Sequence, residues 1–203
     1  MKIEAWVAVS FYTKDTVYEE IAKDLIQSAH HLDIVLKVYE YESRGSWNLN
    51  THIKPECILR AMNEYPDKDI IFVDADAYFL QYPYLFNGYK YDMGVLWMYH
   101  KRSGNIVASN GTIFVKNTPE VKAVIQAWCE HVKANPSLAE QTEFEYFYKN
   151  NDLKVASTLP PEYCMVCIPD EFGNWQPIDK NTNYCDVVIR HGRSDNTMKK
   201  GVK

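Results

Sequence analysis

Two aspartates, Asp74 and Asp76, follow an uninterrupted apolar run at residues 70–73, near the middle of the chain. An apolar run without alternation is typical of a strand that is buried on both faces of a parallel sheet. Side chains two positions apart in an extended chain point to the same side, so we expect the two carboxylates to converge where this strand ends. Ligands of open α/β sheets bind at the carboxyl ends of the strands, which makes the pair a candidate binding site.

The chemistry that this pair indicates is metal binding. Two neighbouring carboxylates repel each other unless a cation lies between them. Oxygen ligands beside a phosphate-bearing molecule suit Mg²⁺ or Mn²⁺. The alternative is a turn after the strand that is capped by an aspartate side chain. The apolar strand favours metal binding because it fixes both carboxylates on a rigid element.

Composition limits the classes of function. The chain has 203 residues, of which 46% are hydrophobic and 24% are charged, and we interpret residues 1–203 as a single domain with an ordinary core. The net charge of −5 argues against a broad nucleic-acid-binding surface. No signal peptide is evident, and no apolar run approaches the roughly 20 residues that cross a bilayer. We therefore expect a cytoplasmic protein without a membrane span.

The order of the predicted elements indicates an α/β fold. A strand at residues 5–9, a helix capped by Asp15 or Thr16, and a second strand at 34–41 come first. This order implies parallel pairing through a right-handed crossover. A helix at 54–65 precedes the aspartate-bearing strand, and two further strands, at 93–99 and 106–115, follow it.

Aromatic and polar side chains follow the first predicted strand at the same edge of the sheet. They are Ser10, Phe11, Tyr12 and Thr13. A nucleotide base can stack on the two rings, and the alternative is that the rings only cover the sheet.

Two further segments carry candidate ligand contacts. Arg44, Trp47 and Lys54 are candidates for contacts with phosphate or sugar, with a surface charge or a packed aromatic ring as the alternative for each. Asn110 and Gly111 lie inside a predicted strand, where a glycine often marks a bulge or a close approach of the backbone to a ligand.

In this order, the segments resemble the GT-A-fold glycosyltransferases that use nucleotide sugars, especially the family 8 and family 77 type. The matching segments span nearly the whole chain and are residues 10–13, 45–47 with 54–55, 72–76, 110–114, 140–141 and 191–194. The resemblance implies an α/β, Rossmann-like GT-A fold with a mostly parallel central sheet flanked by helices. It also implies transfer of a sugar from a UDP-sugar donor, with retention of configuration, to an acceptor that is a glycan, a modified nucleobase or a protein.

The resemblance further implies the metal and phosphate ligands. Asp74, Asp76 and His191 are expected to hold Mn²⁺, or Mg²⁺, on the donor diphosphate. Either Arg193 or Lys199 is expected to contact the phosphates, because Gly192 follows His191 directly and departs from the family's His-x-x-Gly-x-x-Lys spacing.

The remaining roles concern the nucleoside and the sugar. Residues 10–13 are expected beside the base and ribose, and Lys54 matches a basic residue that reaches the donor. Glu140 and Gln141 match the acid–amide pair of the acceptor cleft. Glu140 also completes a capping-box pattern that begins at Ser137, so a structural role is its alternative.

Two other functions remain compatible with the sequence. A strand that ends in Asp-x-Asp also opens the haloacid-dehalogenase phosphatases, in which Asp74 would be the nucleophile and Asp76 the general acid. That motif normally lies near the start of the chain and is followed by Thr or Val, whereas Ala77 and Tyr78 follow here. A non-catalytic binder of sugar nucleotides is the other alternative, and it would bind the donor without turnover.

Overall fold

The computed structural model describes residues 5–100, 104–138, 144 and 158–192. A five-stranded sheet forms its centre. The strands, in spatial order, are Leu36–Tyr41 (β2), Trp6–Thr13 (β1), Asp69–Val73 (β3), Asn105–Val115 (β6) and Met93–His100 (β5).

Strand direction confirms the predicted α/β class. β1 pairs in parallel with both β2 and β3. β6 runs antiparallel to β3 and also to β5. Within this sheet β2, β1, β3 and β5 therefore point the same way and β6 is reversed, as expected for a mostly parallel GT-A-type sheet.

Helices cover both faces of the central sheet. They are Val17–His31 (α1), Trp47–Thr51 (α2), Lys54–Glu64 (α3) and Pro119–Ala134 (α4). The side chains of Thr16, Ser46 and Thr118 cap α1, α2 and α4 by accepting a hydrogen bond from a backbone N–H in the first turn. Asp15, the other predicted cap of α1, instead has a φ of 57° just before the helix.

β3 is buried on both faces, as its apolar run predicts. Ile70 and Phe72 pack with residues of α3 and α4 on one face. Ile71 and Val73 pack with residues of α1 on the other face. This packing makes β3 a rigid support for the residues that follow it.

A second, four-stranded sheet adjoins the first. Its order is Ala77–Phe79 (β4), Ile189–Gly192 (β9), Met165–Pro169 (β7) and Trp175–Pro177 (β8). Short 3₁₀ turns follow β4 at Tyr84–Phe86, precede β7 at Pro161–Tyr163 and lie between β8 and β9 at Tyr184–Asp186. β4 begins directly after Asp76, so this sheet starts at the predicted metal ligands.

The first strand is longer than its sequence pattern predicts. The predicted end at residue 9 is wrong, because residues 10–13 pair in register with β2, from Ser10 opposite Val38 to Thr13 opposite Tyr41. Backbone pairing with a neighbouring strand keeps polar and aromatic residues extended here, although they break the apolar run.

In the part of the chain that the structure describes, no helix is both long and apolar enough to cross a bilayer.

Candidate functional site

A cavity of about 440 Å³ lies where β1 and β3 end. One part of the cavity wall carries residues 11–13, Tyr18, Trp47 and Lys54, and another part carries residues 107–111 and His191. Asp74 and Asp76 also line the cavity. The site therefore occupies the carboxyl edge of the sheet that the strand pattern predicts.

The two aspartates converge through a turn. Strand β3 ends at Val73, and the backbone N–H of Ala77 donates to the carbonyl oxygen of Asp74 at 2.9 Å. The extended geometry expected for residues 74–76 is therefore wrong, because this hydrogen bond folds the chain back. The turn and the carboxylate cluster, which the sequence presented as alternatives, are both present.

His191 reaches the aspartates through the second sheet. β4 and β9 pair antiparallel with Ala77 opposite His191, and the N–H of Gly192 donates to the carbonyl of Asp76 at 3.0 Å. Nδ1 of His191 lies 3.6 Å from Oδ1 of Asp76. One ligand atom from each of Asp74, Asp76 and His191 falls within a cluster in which all atoms lie within 4.8 Å of one another.

Gly111 gives the two ligands room to approach each other. Val95 pairs with Ile113 but Leu96 pairs with Ser109, so residues 110–112 bulge away from β5. The carbonyl of Gly111 accepts the N–H of Asp74 at 2.8 Å. A Cβ at Gly111 would lie 3.0 Å from both Cε1 and Nδ1 of His191 and 3.4 Å from Oδ2 of Asp74. The bulge predicted from this glycine is present, and side chains of the candidate site fill the space beside it.

Lys54, at the start of helix α3, contacts both Asp74 and Asn110. Its Nζ lies 3.1 Å from Oδ1 of Asp74 and donates to the carbonyl of Asn110 at 3.0 Å. A longer contact of 3.4 Å reaches Oδ1 of Asn110. The ammonium also lies 5.3 Å from the ring centroid of Phe72. A buried ammonium with these partners fixes the carboxylate of Asp74 from the side of the helix.

Aromatic residues form one part of the cavity wall, called the aromatic wall below. Phe11 lines the cavity and also packs on the core, with its ring centroid 6.1 Å from that of Phe72. The hydroxyl of Tyr12 donates to Oε2 of Glu40 at 2.9 Å, and Nε1 of Trp47 donates to the hydroxyl of Tyr18 at 3.1 Å. These bonds tether the polar ends of Tyr12 and Trp47, which both line the cavity.

The side chain of Ser10 lies away from the cavity that residues 11–13 line. Its side chain is fully buried and is not part of the cavity wall. Its hydroxyl has no hydrogen-bond partner among the described residues, and its carbonyl accepts a contact from Sγ of Cys57 at 3.7 Å. Side chains alternate along a strand, which turns Ser10 away from the ring of Phe11.

Arg44 does not line the cavity, and its guanidinium instead pairs with Glu56 at 2.7 Å. The other predicted site residues lie outside the described part of the chain. They are Glu140, Gln141, Arg193 and Lys199. Their roles stay predictions.

The cavity also contains residues that the sequence did not single out. Asn50 connects the end of β1 to the loop that follows β2. Its Nδ2 contacts Oγ1 of Thr13 at 3.5 Å, and its Oδ1 accepts the N–H of Arg44 at 2.7 Å. The sequence signal that could have identified Asn50 was its position in a short helix that begins after a serine cap. Apolar wall residues carry no such signal because their side chains resemble ordinary core residues; they are Met98, Val107, Ala108, Cys164 and Val166.

The ionisable groups at the centre influence one another. Burial raises the pKa of the Asp74 carboxyl, Lys54 opposes this shift, and the neighbouring Asp76 carboxylate adds to it. Burial disfavours the charged imidazole of His191, yet its interactions with the neighbouring Cys164 and Asp76 raise the pKa of this group to about 10. Two carboxyl groups and an imidazole thus share one small volume.

These residues fit a divalent cation. Nδ1 of His191 is buried and has no hydrogen-bond partner among the described residues, while it faces the carboxylates. A cation at this point gives that nitrogen a partner and relieves the repulsion between the carboxylates. Two carboxylates with one imidazole suit Mn²⁺ and similar divalent ions.

Comparison with known proteins places the fold among glycosyltransferases. A glycosyltransferase involved in the glycosylation of the major capsid of PBCV-1 aligns with a TM-score of 0.62 and 15% identity, over 91% of this chain and 93% of that chain. Apo-form GlyE of Streptococcus pneumoniae TIGR4 aligns with a TM-score of 0.54 and 11% identity, over 77% of this chain and 46% of that chain. At these identities the likeness establishes the fold alone.

The sequence comparison identifies the family. No curated protein matches the chain. Residues 65–197 match the family model described as nucleotide-diphospho-sugar transferase, and this range includes Asp74, Asp76 and His191. Because the match spans well over half of the sequence, this chain belongs to the nucleotide-diphospho-sugar transferase family and is a glycosyltransferase.

Proposed function

We propose that this glycosyltransferase takes its sugar from a UDP-sugar, that donor binding requires Mn²⁺ or Mg²⁺, and that the sugar is transferred with retention of configuration. The observation that supports the proposal most is the cluster of Asp74, Asp76 and His191 in a cavity of about 440 Å³. A cavity of this size suits a small-molecule ligand of nucleotide-sugar dimensions.

The cation ligands in this proposal are the carboxylates of Asp74 and Asp76 and Nδ1 of His191. When bound, the cation acts as a Lewis acid that neutralises charge on the diphosphate leaving group. The turn at residues 74–77 and the β4–β9 pairing support this proposal, because they hold the three side chains close together without a donor, which would lower the cost of binding.

The aromatic wall is the proposed nucleoside subsite. Phe11, Tyr12 and Trp47 present rings to the cavity, and Thr13 adds a hydroxyl that suits a ribose or base contact. The choice of uridine rests on the resemblance of this segment to the uridine sites of the family. Lys54 lies between this wall and the carboxylates, where its ammonium counters negative charge near the donor.

The proposed groups beside the transferred sugar come from the resemblance. Gln141, with Glu140 next to it, would stabilise the positive charge that develops on the sugar as the bond to the diphosphate breaks. Arg193 or Lys199 would contact the phosphates. The acceptor is a glycan, a modified nucleobase or a protein.

Calorimetry with nucleotides tests the donor and the metal together. UDP, GDP and CDP are titrated into the protein with Mn²⁺, with Mg²⁺ and with a chelator, and we expect UDP to bind tightest and to lose affinity in the chelator. His191→Ala is the companion variant and should bind UDP weakly in Mn²⁺ while keeping its fold. Equal affinity for the three nucleotides, unchanged by the chelator, would overturn the proposal.

Turnover is tested separately with a panel of UDP-sugars. Release of UDP from one sugar nucleotide, by slow hydrolysis or by transfer to added glycan acceptors, identifies the donor sugar. The anomeric configuration of the product then tests retention.

A further inference from the structure

The hydroxyl of Thr112 contacts the imidazole of His191 on the side away from the aspartates. Oγ1 of Thr112 lies 2.9 Å from Nε2 of His191, while Nδ1 of the same ring lies 3.6 Å from Oδ1 of Asp76. Both side chains are buried, since Thr112 is 0% exposed and His191 is 4% exposed. The ring is therefore held between a hydroxyl and a carboxylate.

This hydrogen bond fixes which ring atom faces the carboxylates. A ring rotated by half a turn would place carbon Cδ2 toward Asp76 and carbon Cε1 against the hydroxyl of Thr112. Both polar interactions would then be lost in a buried site, which disfavours the rotated ring. The contact with Thr112 thus keeps Nδ1 directed at the carboxylates.

The hydroxyl suits both protonation states of the histidine. In the imidazolium, Nε2–H donates to Oγ1 of Thr112 and Nδ1–H faces Asp76. In the neutral ring that a cation requires, Nδ1 loses its proton and Nε2–H keeps the same hydrogen bond. The orientation of His191 is therefore unchanged when a cation replaces the proton on Nδ1.

Thr112 also belongs to the segment that supports Asp74. It lies opposite Val73 in the pairing of β3 with β6, and the preceding residue, Gly111, accepts the N–H of Asp74 at 2.8 Å. The bulge of β6 consequently supports Asp74 through the backbone of Gly111 and His191 through the side chain of Thr112. Cys164 also lies against His191, but its thiol has its own contacts with Oγ of Ser109 at 3.5 Å and with the Ser109 carbonyl at 3.4 Å.

We propose that Thr112 is a positioning residue, whose hydroxyl holds His191 in the orientation that presents Nδ1 to the divalent cation. This inference deepens the metal-dependent function proposed above and rests on it. Thr112 touches neither the donor nor the cation in this role, and it acts through His191.

Three substitutions separate the hydroxyl from the shape of the side chain. Thr112→Val keeps the shape and removes the hydroxyl, Thr112→Ser keeps the hydroxyl, and Thr112→Ala differs from Thr112→Ser by one oxygen atom. We expect Mn²⁺ affinity, measured by calorimetry, to fall about 10-fold or more in Thr112→Val and Thr112→Ala, in the range typical for lost support of a metal ligand. Thr112→Ser should stay close to the wild type.

Nuclear magnetic resonance of the metal-free protein gives a second readout. A proton on Nε2 of His191 that is buried and hydrogen-bonded exchanges slowly with water, and His191→Ala assigns its signal. We expect this signal in the wild type and in Thr112→Ser and expect to lose it in Thr112→Val and Thr112→Ala. If Thr112→Val does not fold, the comparison of Thr112→Ser with Thr112→Ala still tests the role of the hydroxyl.

A matched control removes a buried hydroxyl elsewhere. Oγ of Ser28 donates to the carbonyl of Leu25 at 2.8 Å and accepts the N–H of Phe79 at 3.1 Å, away from the cavity. Ser28→Ala should lower stability without changing Mn²⁺ affinity or the His191 signal.

Two results overturn the inference. One is a slowly exchanging Nε2 proton that persists in Thr112→Val, and the other is a Thr112→Ser variant as impaired as Thr112→Ala. If the wild type binds no Mn²⁺, the proposed metal dependence fails. The Nε2 signal then still decides whether Thr112 orients His191.

Discussion

Nζ of Lys54 lies 3.1 Å from Oδ1 of Asp74 and 3.0 Å from the carbonyl oxygen of Asn110. One ammonium group therefore links the start of helix α3, the turn after β3 and the bulge of β6. Asp74 is a candidate metal ligand, so the position of its carboxylate depends on a residue 20 positions earlier in the chain.

Replacement of Lys54 by methionine tests this link. We expect the free energy of unfolding to fall by about 1–3 kcal/mol, because the carbonyl of Asn110 and the carboxylate of Asp74 each lose a charged partner. UDP binding in Mn²⁺ should weaken as well, since the positive charge near the diphosphate is removed. Urea unfolding and calorimetry measure the two effects. Lys23→Met, which removes a surface ammonium paired with Glu20, should change stability by less than about 0.5 kcal/mol.

Gly111→Ala tests the close approach beneath the site. The added Cβ would meet His191 at 3.0 Å, so the imidazole must move and Mn²⁺ affinity should fall. Gly192→Ala is the matched control on β9, because its Cβ would meet its nearest neighbour, the Asp76 carbonyl oxygen, at an ordinary 3.7 Å. Equal Mn²⁺ affinity in the two variants would show that the space at Gly111 is not needed.

The pH dependence of metal binding should follow His191. The pKa of this group is raised from its ordinary value of 6.5 to about 10, so the metal-free folded protein holds a proton that the unfolded chain has lost between these values. This contribution to stability is complete below about pH 6.5 and is lost as pH rises toward 10.

A cation must displace that proton, so Mn²⁺ affinity should rise with pH over the same window, by at most about 10-fold per pH unit for one proton. Calorimetry from pH 6 to 8.5 in buffers of different ionisation enthalpy measures the affinity and the proton released. In this pH range, a histidine of ordinary pKa would give a rise in Mn²⁺ affinity only up to about pH 7. A pH-independent affinity would remove His191 from the ligand set.

Ser10 and Tyr12 should behave differently although they are two residues apart. Ser10 is absent from the cavity wall and its buried hydroxyl lacks a partner among the described residues, so Ser10→Ala should leave UDP affinity unchanged. Tyr12→Ala should weaken UDP binding by about 0.5–1.5 kcal/mol through loss of ring contact. Tyr12→Phe keeps the ring and should bind UDP nearly as well as the wild type, because the lost bond goes to Glu40.

Gln141 should affect transfer more than donor binding. If its amide stabilises charge on the reacting sugar, Gln141→Ala should reduce the transfer rate by about 10²-fold, as for removal of one stabilising group in other enzymes. Glu140→Gln preserves the capping-box pattern, so its fold should be intact by circular dichroism. Unchanged transfer in Glu140→Gln would assign Glu140 a structural role, and unchanged transfer in Gln141→Ala would remove Gln141 from the cleft.

Local patterns predicted the elements that support the site. The apolar run of β3, the cap at Thr16 and the glycine at position 111 act through neighbours close in sequence, so their effects were visible without the fold. The alternation of Ser10 with Phe11 along a strand was less informative, because a polar break looks the same whether a strand ends or pairs with a neighbour. The partner strand β2 decided that case.

The sequence by itself determined that two carboxylates follow a buried strand, that a late histidine is available to join them, and that the chain resembles nucleotide-sugar transferases. The tertiary structure decided how these groups meet. A turn brings Asp74 and Asp76 together, the pairing of β4 with β9 brings His191 to Asp76, and Thr112 fixes the imidazole from a third segment. These contacts join residues as far apart as Asp76 and His191, which are separated by 115 positions, and local periodicity carries no information about such pairings because it depends only on each segment's own burial.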